Sequence, residues 1–514
     1  MKTFPALAFA ALCAAGDAFA ATFVVDTGSD TSLVTCDDAT PADCSLRGAM
    51  ENANLNPAPD RITFAIPTSD ASYQAATDHW RIAVGSTSLP RIDNAVEIDG
   101  YTQPGAAPNT IAADAGGLDT ILKIEVTPGA SFGTQQNGFE ISPNFPSQGA
   151  STFRGLALNR FAQQFQLWGT AAHRIEGCFL GTDIDGTVAA VTTSGGRGHG
   201  IFTFGAGAYV IGGTSPPARN LISGLFSAII LQRDNDGLTV QGNLIGTDRS
   251  GTTAIGQTTY AAIYTTARMT NARIGGTEPG ARNVISGNPL GAIAFNTTGA
   301  ATYAGTRIEG NTIGADASGT LPLGNGGMFG APQPAVSIAG NDTCDIVIEG
   351  NTIAHNRGAG VAVFGCRNVD AGRNHYAYNR GLALDLATGS FADGVTPNDA
   401  GDADSGSNRL QNRPIVEALT IAGGTASLTF RVDTLPANAA YPLTIDVAAG
   451  PGGQPQNAIA SFAYTAAEAQ TPKTVTFPAT ALQGGALVVF ATDADGNTSE
   501  IASSDAIFAA PFDY

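Results

Sequence analysis

Apolar positions along this chain fall in short runs bounded by Gly or Asn. Examples are Leu156-Ala157-Leu158, Ile229-Ile230-Leu231, Ala292-Ile293-Ala294-Phe295 and Val361-Ala362-Val363-Phe364. Short alternating runs with frequent turn residues predict strands, and no stretch sustains the 3.6-residue period of a long helix. One short segment differs. In CSLRGAMENAN, from Cys44 to Asn54, Leu46, Ala49, Met50 and Ala53 share one helical face, which predicts an amphipathic helix. From Pro414 to Ser504 the runs lengthen: ASLTFRV from Ala426, YPLTIDVA from Tyr441, ALVVFATDADGN from Ala486. With Asp495-Gly496 as a hairpin turn, this part reads as a small antiparallel β-sandwich.

Over the strand pattern lies a repeat. GTDIDGT starts at Gly181, GTDRSGT at Gly246 and GADASGT at Gly314, spaced by 65 and 68 residues. IGGTSPPARNLISG from Ile211 and IGGTEPGARNVISG from Ile274 interleave with them. Fixed-period self-similarity means one unit stacked on itself. A third of the period, about 22 residues, suffices for three short strands and their turns in one solenoid coil. NTIAHNRG from Asn351 and NHYAYNRG from Asn374 show a 23-residue spacing directly. The fold class predicted is all-β: a parallel β-helix followed by the sandwich. Asn220 and Asn283 are expected in amide ladders, and Cys344 and Cys366, about one coil apart, within bonding reach. Cys36 and Cys44 close a short loop and are the second expected disulfide. Cys178 is left over as a buried hydrophobe.

Residues 1–20 read as a secretory signal: Lys2, an apolar stretch from Ala6 to Ala15, and Ala18-Phe19-Ala20 as cleavage site. No later apolar run reaches the roughly 20 residues of a membrane span. The expectation is an exported chain, extracellular or at the cell surface. Its divisions are a cap over 21–60, the β-helix over 61–390, an acidic linker over 391–413, the sandwich over 414–504 and a tail over 505–514. The net charge of −19, with only three lysines, excludes nucleic acid and anionic membranes as partners. It suits cations or neutral sugars. The oligomeric state is open.

The chain resembles a family of exported bacterial right-handed parallel β-helix repeat proteins with an N-terminal CSLREA-like cap. The residues that carry the likeness are CSLRGAMENAN at Cys44, IDGYTQPGAAPNT at Ile98, IEGCFLGTDIDGT at Ile175, IGGTEPGARNVISGN at Ile274 and DGVTPNDAGDADSGSNRLQNRPI at Asp393. It implies a secreted or surface-associated protein, often with no assigned activity. DAIFAAPFDY at the end looks like a short carboxy-terminal tail of some exported proteobacterial proteins.

Three sets of residues carry candidate chemistry. Asp183, Asp248 and Asp316, in the repeated phrase, form a row of carboxylates or, as their recurrence favours, Asx turns. Asp399, Asp402, Asp404 and Asn408 crowd into NDAGDADSGSN, which offers oxygens for a structural calcium, although Arg413 stands where an EF-type loop has glutamate. No cofactor is required otherwise. His355, Arg357, His375, Tyr378 and Arg380 superpose when coils align at 23 residues. Such a set suits a polysaccharide lyase, which needs a cation for the uronate carboxylate and a base for the C5 proton. A glycoside hydrolase would instead need facing carboxylates, and Asp93, Asp99, Asp183 and Asp185 are the ones at hand. The leading expectation is a binder of glycan or another surface; the alternative is a lyase or hydrolase acting on an acidic polysaccharide.

Overall fold

The computed structural model describes residues 19–37, 39–129, 136–145, 149–191, 197–297, 303–327 and 332–501. The signal segment, except for its last two residues, and the tail 505–514 lie outside them. Three long sheets, the first and second of 11 strands and the third of 9, run through the chain, and their successive strands come from successive turns of the polypeptide. Like stacks on like. In the first sheet Ile98 lies beside Phe153, Ile211 beside Val240, and Ile308 beside Ile348. In the second, Leu180 lies beside Ile222 and Ile313 beside Ile353. In the third, Phe165, Ile201, Ile229 and Ile263 form one column. These side chains are buried in one continuous core, each contributing roughly 1.5–3 kcal/mol. The β-helix and the antiparallel sheets after it match the expected fold class.

The coils are not of one length, which corrects the division of the repeat by three. An asparagine column runs through Asn220, Asn243, Asn283, Asn311, Asn351 and Asn374, each Nδ2 donating to the next Oδ1 at 2.8–3.0 Å. Its first acceptor, Asn220 Oδ1, takes the amide of Cys178, which occupies the asparagine position one coil earlier. The steps along the chain are 42, 23, 40, 28, 40 and 23 residues. The repeat is therefore a long coil plus a short one. Each GTD or GAD phrase sits in a long coil as an outward hairpin, bridged from Thr182 to Ala189, Thr247 to Ala254 and Ala315 to Pro322. A second column joins Asn288, Asn325, Asn356 and Asn379.

An extended strap, from Tyr101 to Leu122, covers the outside of the second sheet. Its Tyr101, Leu118 and Leu122 pack on Phe179, Leu221, Leu244 and Val284. Arginines from the repeats hold it by its carbonyl oxygens. Arg219, only 1% exposed, donates to Ile111, Ala112, Gly116 and Gly117 as well as to Gly242. Arg249 donates to Leu118 and Thr120, and Arg282 to Ala113 and Ala317. Burial lowers the Arg219 guanidinium to about 10, so it remains charged at neutral pH against carbonyl dipoles.

Both ends of the solenoid are closed. At the first, helix Leu46–Leu55 turns Leu46, Ala49, Met50 and Ala53 into the core, with the Ser45 hydroxyl accepting from the Gly48 amide. The Cys36–Cys44 disulfide closes the loop before it. The first sheet already begins at Thr22–Val25, which pairs with Asp60–Phe64, so the coils start inside the segment expected to be cap alone. At the other end two three-stranded antiparallel sheets follow. Along Ala486–Thr492 the alternation serves both modules. Leu487, Val489 and Ala491 enter the sandwich core, whereas Val488 and Phe490 enter the solenoid core. Gln454 ends the second asparagine column: its Oε1 accepts from Asn379 Nδ2, and its Nε2 donates to the Asn379 and Gly381 carbonyls. Cys344 and Cys366 form a disulfide between neighbouring coils. No helix among the described residues is long and apolar enough to cross a membrane.

Replacing Asn311 by alanine removes the Oδ1 that accepts from the Asn283 backbone amide and Nδ2, and the Nδ2 that donates to Asn351 Oδ1 and the Ile274 carbonyl, in a buried column. Chemical denaturation should show a loss of at least about 1–3 kcal/mol, and an unchanged midpoint would contradict the ladder's role. Breaking the inter-coil disulfide with Cys366→Ser should cost about 2–4 kcal/mol in the same assay.

Candidate functional site

The repeated aspartates close turns. Asp183 Oδ1 accepts from the Thr187 and Val188 amides, Asp248 Oδ1 from Thr252 and Thr253, and Asp316 Oδ1 from Thr320 and Leu321. The hairpins stack on one another: the Arg249 amide donates to Gly186 and the Ala317 amide to Gly251. Their carboxylates hold backbone, which is why the phrase recurs.

The proposed lyase set is only partly assembled. His355 and Tyr378 stack, with ring centroids 5.2 Å apart and planes 8° from parallel. Both residues sit at positive φ, 60° and 55°, at the same turn of neighbouring coils. Burial lowers the His355 pKa. His375 lies on the strand His375–Ala377, paired with Thr352. Arg357 and Arg380 are exposed turn residues, and neither forms an ion pair with another described residue. Glu349 is paired with Arg307 and Arg373, and Asp385 accepts from the Gly394 amide. His355, Arg357, Tyr378 and Arg380 thus stand at turns and His375 on a strand.

The acidic segment is anchored to the last coil at its far end. Ser407–Leu410 lies on the last coil, where the Asn408 amide donates to Cys366, and Asn408 Nδ2 donates to Val369 and Thr498. Asn408 is therefore a buried capping residue and leaves the expected calcium set. Asp399, Asp402 and Asp404 do converge, their nearest oxygens within 4.8 Å of one another. The fit to calcium is partial. The ion takes about 6–8 oxygens, and both Asp402 oxygens already accept hydrogen bonds, from Asn412, Gln411 and Thr434. Burial pushes the Asp402 carboxyl up to about 7, with Asp404 and Asp399 adding to the rise.

Close by, Glu500 ties the sandwich to the solenoid. It accepts from the Leu386 and Thr396 amides and lies 3.7 Å from Arg413. Burial still raises it to about 7 from an ordinary 4.5, with a contribution from Asp385.

A site the sequence did not disclose opens on the outer face of the third sheet. Its outward column reads Gln166, Phe202, Ile230, Tyr264, Ala294, Ser337, Ala362. The first half is bulky. Trp168 stacks on Phe204 at 4.5 Å, Phe204 meets Phe202, and Tyr260 meets Tyr264. At Ala294 the side chains shrink, and a groove of about 790 Å³ follows over strands Ile293–Asn296, Val336–Ala339 and Val361–Phe364. Leu290, Asn296, Pro334, Asn341 and Phe391 border it. No charged side chain lines it among the described residues, and Phe391 is 77% exposed. Its size falls in the usual range of ligand sites, about 300–1,000 Å³. The shrinking column could have been read only with the register known, because unequal coils hide which residues are stacked.

No family model and no curated protein matches the chain. Among solved structures, one similar chain is ORF18 of Geobacillus virus E2, 10% identical, covering 96% of this chain and 79% of that one with a TM-score of 0.30. That likeness is too distant to carry an argument.

Glu500 gives a pH dependence. Its folded pKa lies above the unfolded value, so its stabilising effect is complete below pH 4.5 and is lost as pH rises through about 7. Urea unfolding should show stability falling from pH 5 to pH 8. Glu500→Gln should match the native chain at pH 4 and exceed it at pH 8 by about 1–3 kcal/mol. A variant weaker than the native chain at pH 8 would show that the charge is needed.

Proposed function

We propose that this chain is an exported bacterial β-helix protein of the CSLREA-capped kind, extracellular or at the cell surface. It binds a glycan or another surface component and does not degrade an acidic polysaccharide. The observation that carries the reading is the groove on the third sheet: ligand-sized, open, and floored by rigid stacked strands. A binding surface on regular strands is held in place by the whole ladder beneath it. Two disulfides support the extracellular setting. In the set expected of a lyase, His355 and Tyr378 stack on each other and Arg357 and Arg380 are exposed turn residues, whereas the groove lies on a different sheet.

Glycan arrays and pull-downs from cell envelopes test the reading. Ala294→Trp, which fills the groove from its floor, should abolish retention, whereas His355→Ala and Arg380→Ala should leave it unchanged. Ultraviolet absorbance on pectate and alginate should detect no new double bond. An unsaturated product whose formation stops in His355→Ala would overturn the proposal.

A further inference from the structure

We infer that the ligand of this groove is an uncharged oligosaccharide of pyranose units, lying along the solenoid axis; this rests on the groove being the binding site. Three features point to it. The first is charge. Between Glu140 and Asp385, which end it, the outward column carries no ionised side chain and no cation at all, and the groove beyond Tyr264 has no charged group in its lining, in a chain of net charge −19. An acidic glycan would find no cation there, and its carboxylates would lose hydration without recompense.

The second feature is the kind of polar group present. Asn296 and Ser337 offer an amide and a hydroxyl, which both donate and accept. Sugar hydroxyls need that dual capacity. The third is apolar surface at the two ends. Tyr264 stands on the outward column one coil before the floor begins, and Phe391 projects 77% exposed at the far border. An exposed phenylalanine beside a polar floor suits the apolar face of a pyranose ring. The direction follows from the floor. Ala294 and Ser337 lie one coil apart along the axis, roughly 4.8 Å per step, and Phe364 and Gly365 continue the lining on the next coil. A linear chain laid on them would therefore cross coils.

Isothermal titration of the full chain tests this with two probes: a neutral β-1,4-linked glucose or mannose hexamer, and a galacturonate hexamer. The neutral probe should bind with an affinity unchanged between low and high salt. Ser337→Phe places on the floor the residue type that Phe202 already supplies in the same column, so folding should survive, as a thermal melt would confirm. It should remove binding. Phe391→Ala should weaken it about 3- to 10-fold. If galacturonate binds instead, weakens with salt and is lost in Ser337→Phe, the groove stands and its neutrality is refuted. If saccharide binding persists unchanged in Ser337→Phe, or neither probe binds at all, the groove itself is refuted as the site.

Discussion

The coil-to-coil hydrogen bond of a buried asparagine is the constraint on which this molecule depends. Each turn between sheets would leave interior backbone groups without partners. Asn283 shows the remedy: its Oδ1 accepts both the amide and the Nδ2 of Asn243, and its own Nδ2 donates onward to Asn311 and to the Val240 carbonyl. Every member thus satisfies the coil on each side. A slip of one residue would break all of these bonds together and turn the apolar columns outward, so the register is fixed. Such a column cannot simply stop. One ends on Asn374, whose Nδ2 donates to Ile348 and Ala371; the other ends on Gln454 of the sandwich. The C-terminal module is in this sense the last member of the stack.

Fixed register frees the loops. Because strands and asparagines hold the coils, the length between them can vary, and the long coils take up outward hairpins without disturbing the core. The same register sets the outer surface. Bulky residues on one stretch of the third sheet and small ones on the next turn a flat face into a groove. On the second sheet a similar apolar stretch is instead covered by the strap, clamped by Arg219, Arg249 and Arg282. One face is closed and the other left open.

Much of the architecture was legible in the sequence. The amphipathic helix at Leu46, both disulfides, the sandwich and the stacking of Asn351 on Asn374 follow from local pattern and spacing. Coil length was misread because the period counted a hairpin as if it were strand and turn. Asn408 looked like a calcium ligand because its neighbours are acidic, yet its position under the sandwich makes it a cap. The role of the ARN arginines was hidden as well. Their partners are carbonyls more than 100 residues earlier, as for Arg219 and Ile111, and backbone carbonyls leave no trace in residue type. The groove depends on outward residues brought together from successive coils, such as Ala294 and Ser337, a juxtaposition that no local pattern records.

Native-state hydrogen exchange on the full chain, with and without Gln454→Ala, tests most directly whether the stoppered column holds the solenoid together. Protection should be greatest in the coils from Asn283 to Asn379. In the variant, protection should be lost first at Asn379 and Asn356 and then progressively toward Asn325. Exchange in those coils unaltered by the variant, while the sandwich opens by itself, would contradict the claim that the C-terminal module completes the stack.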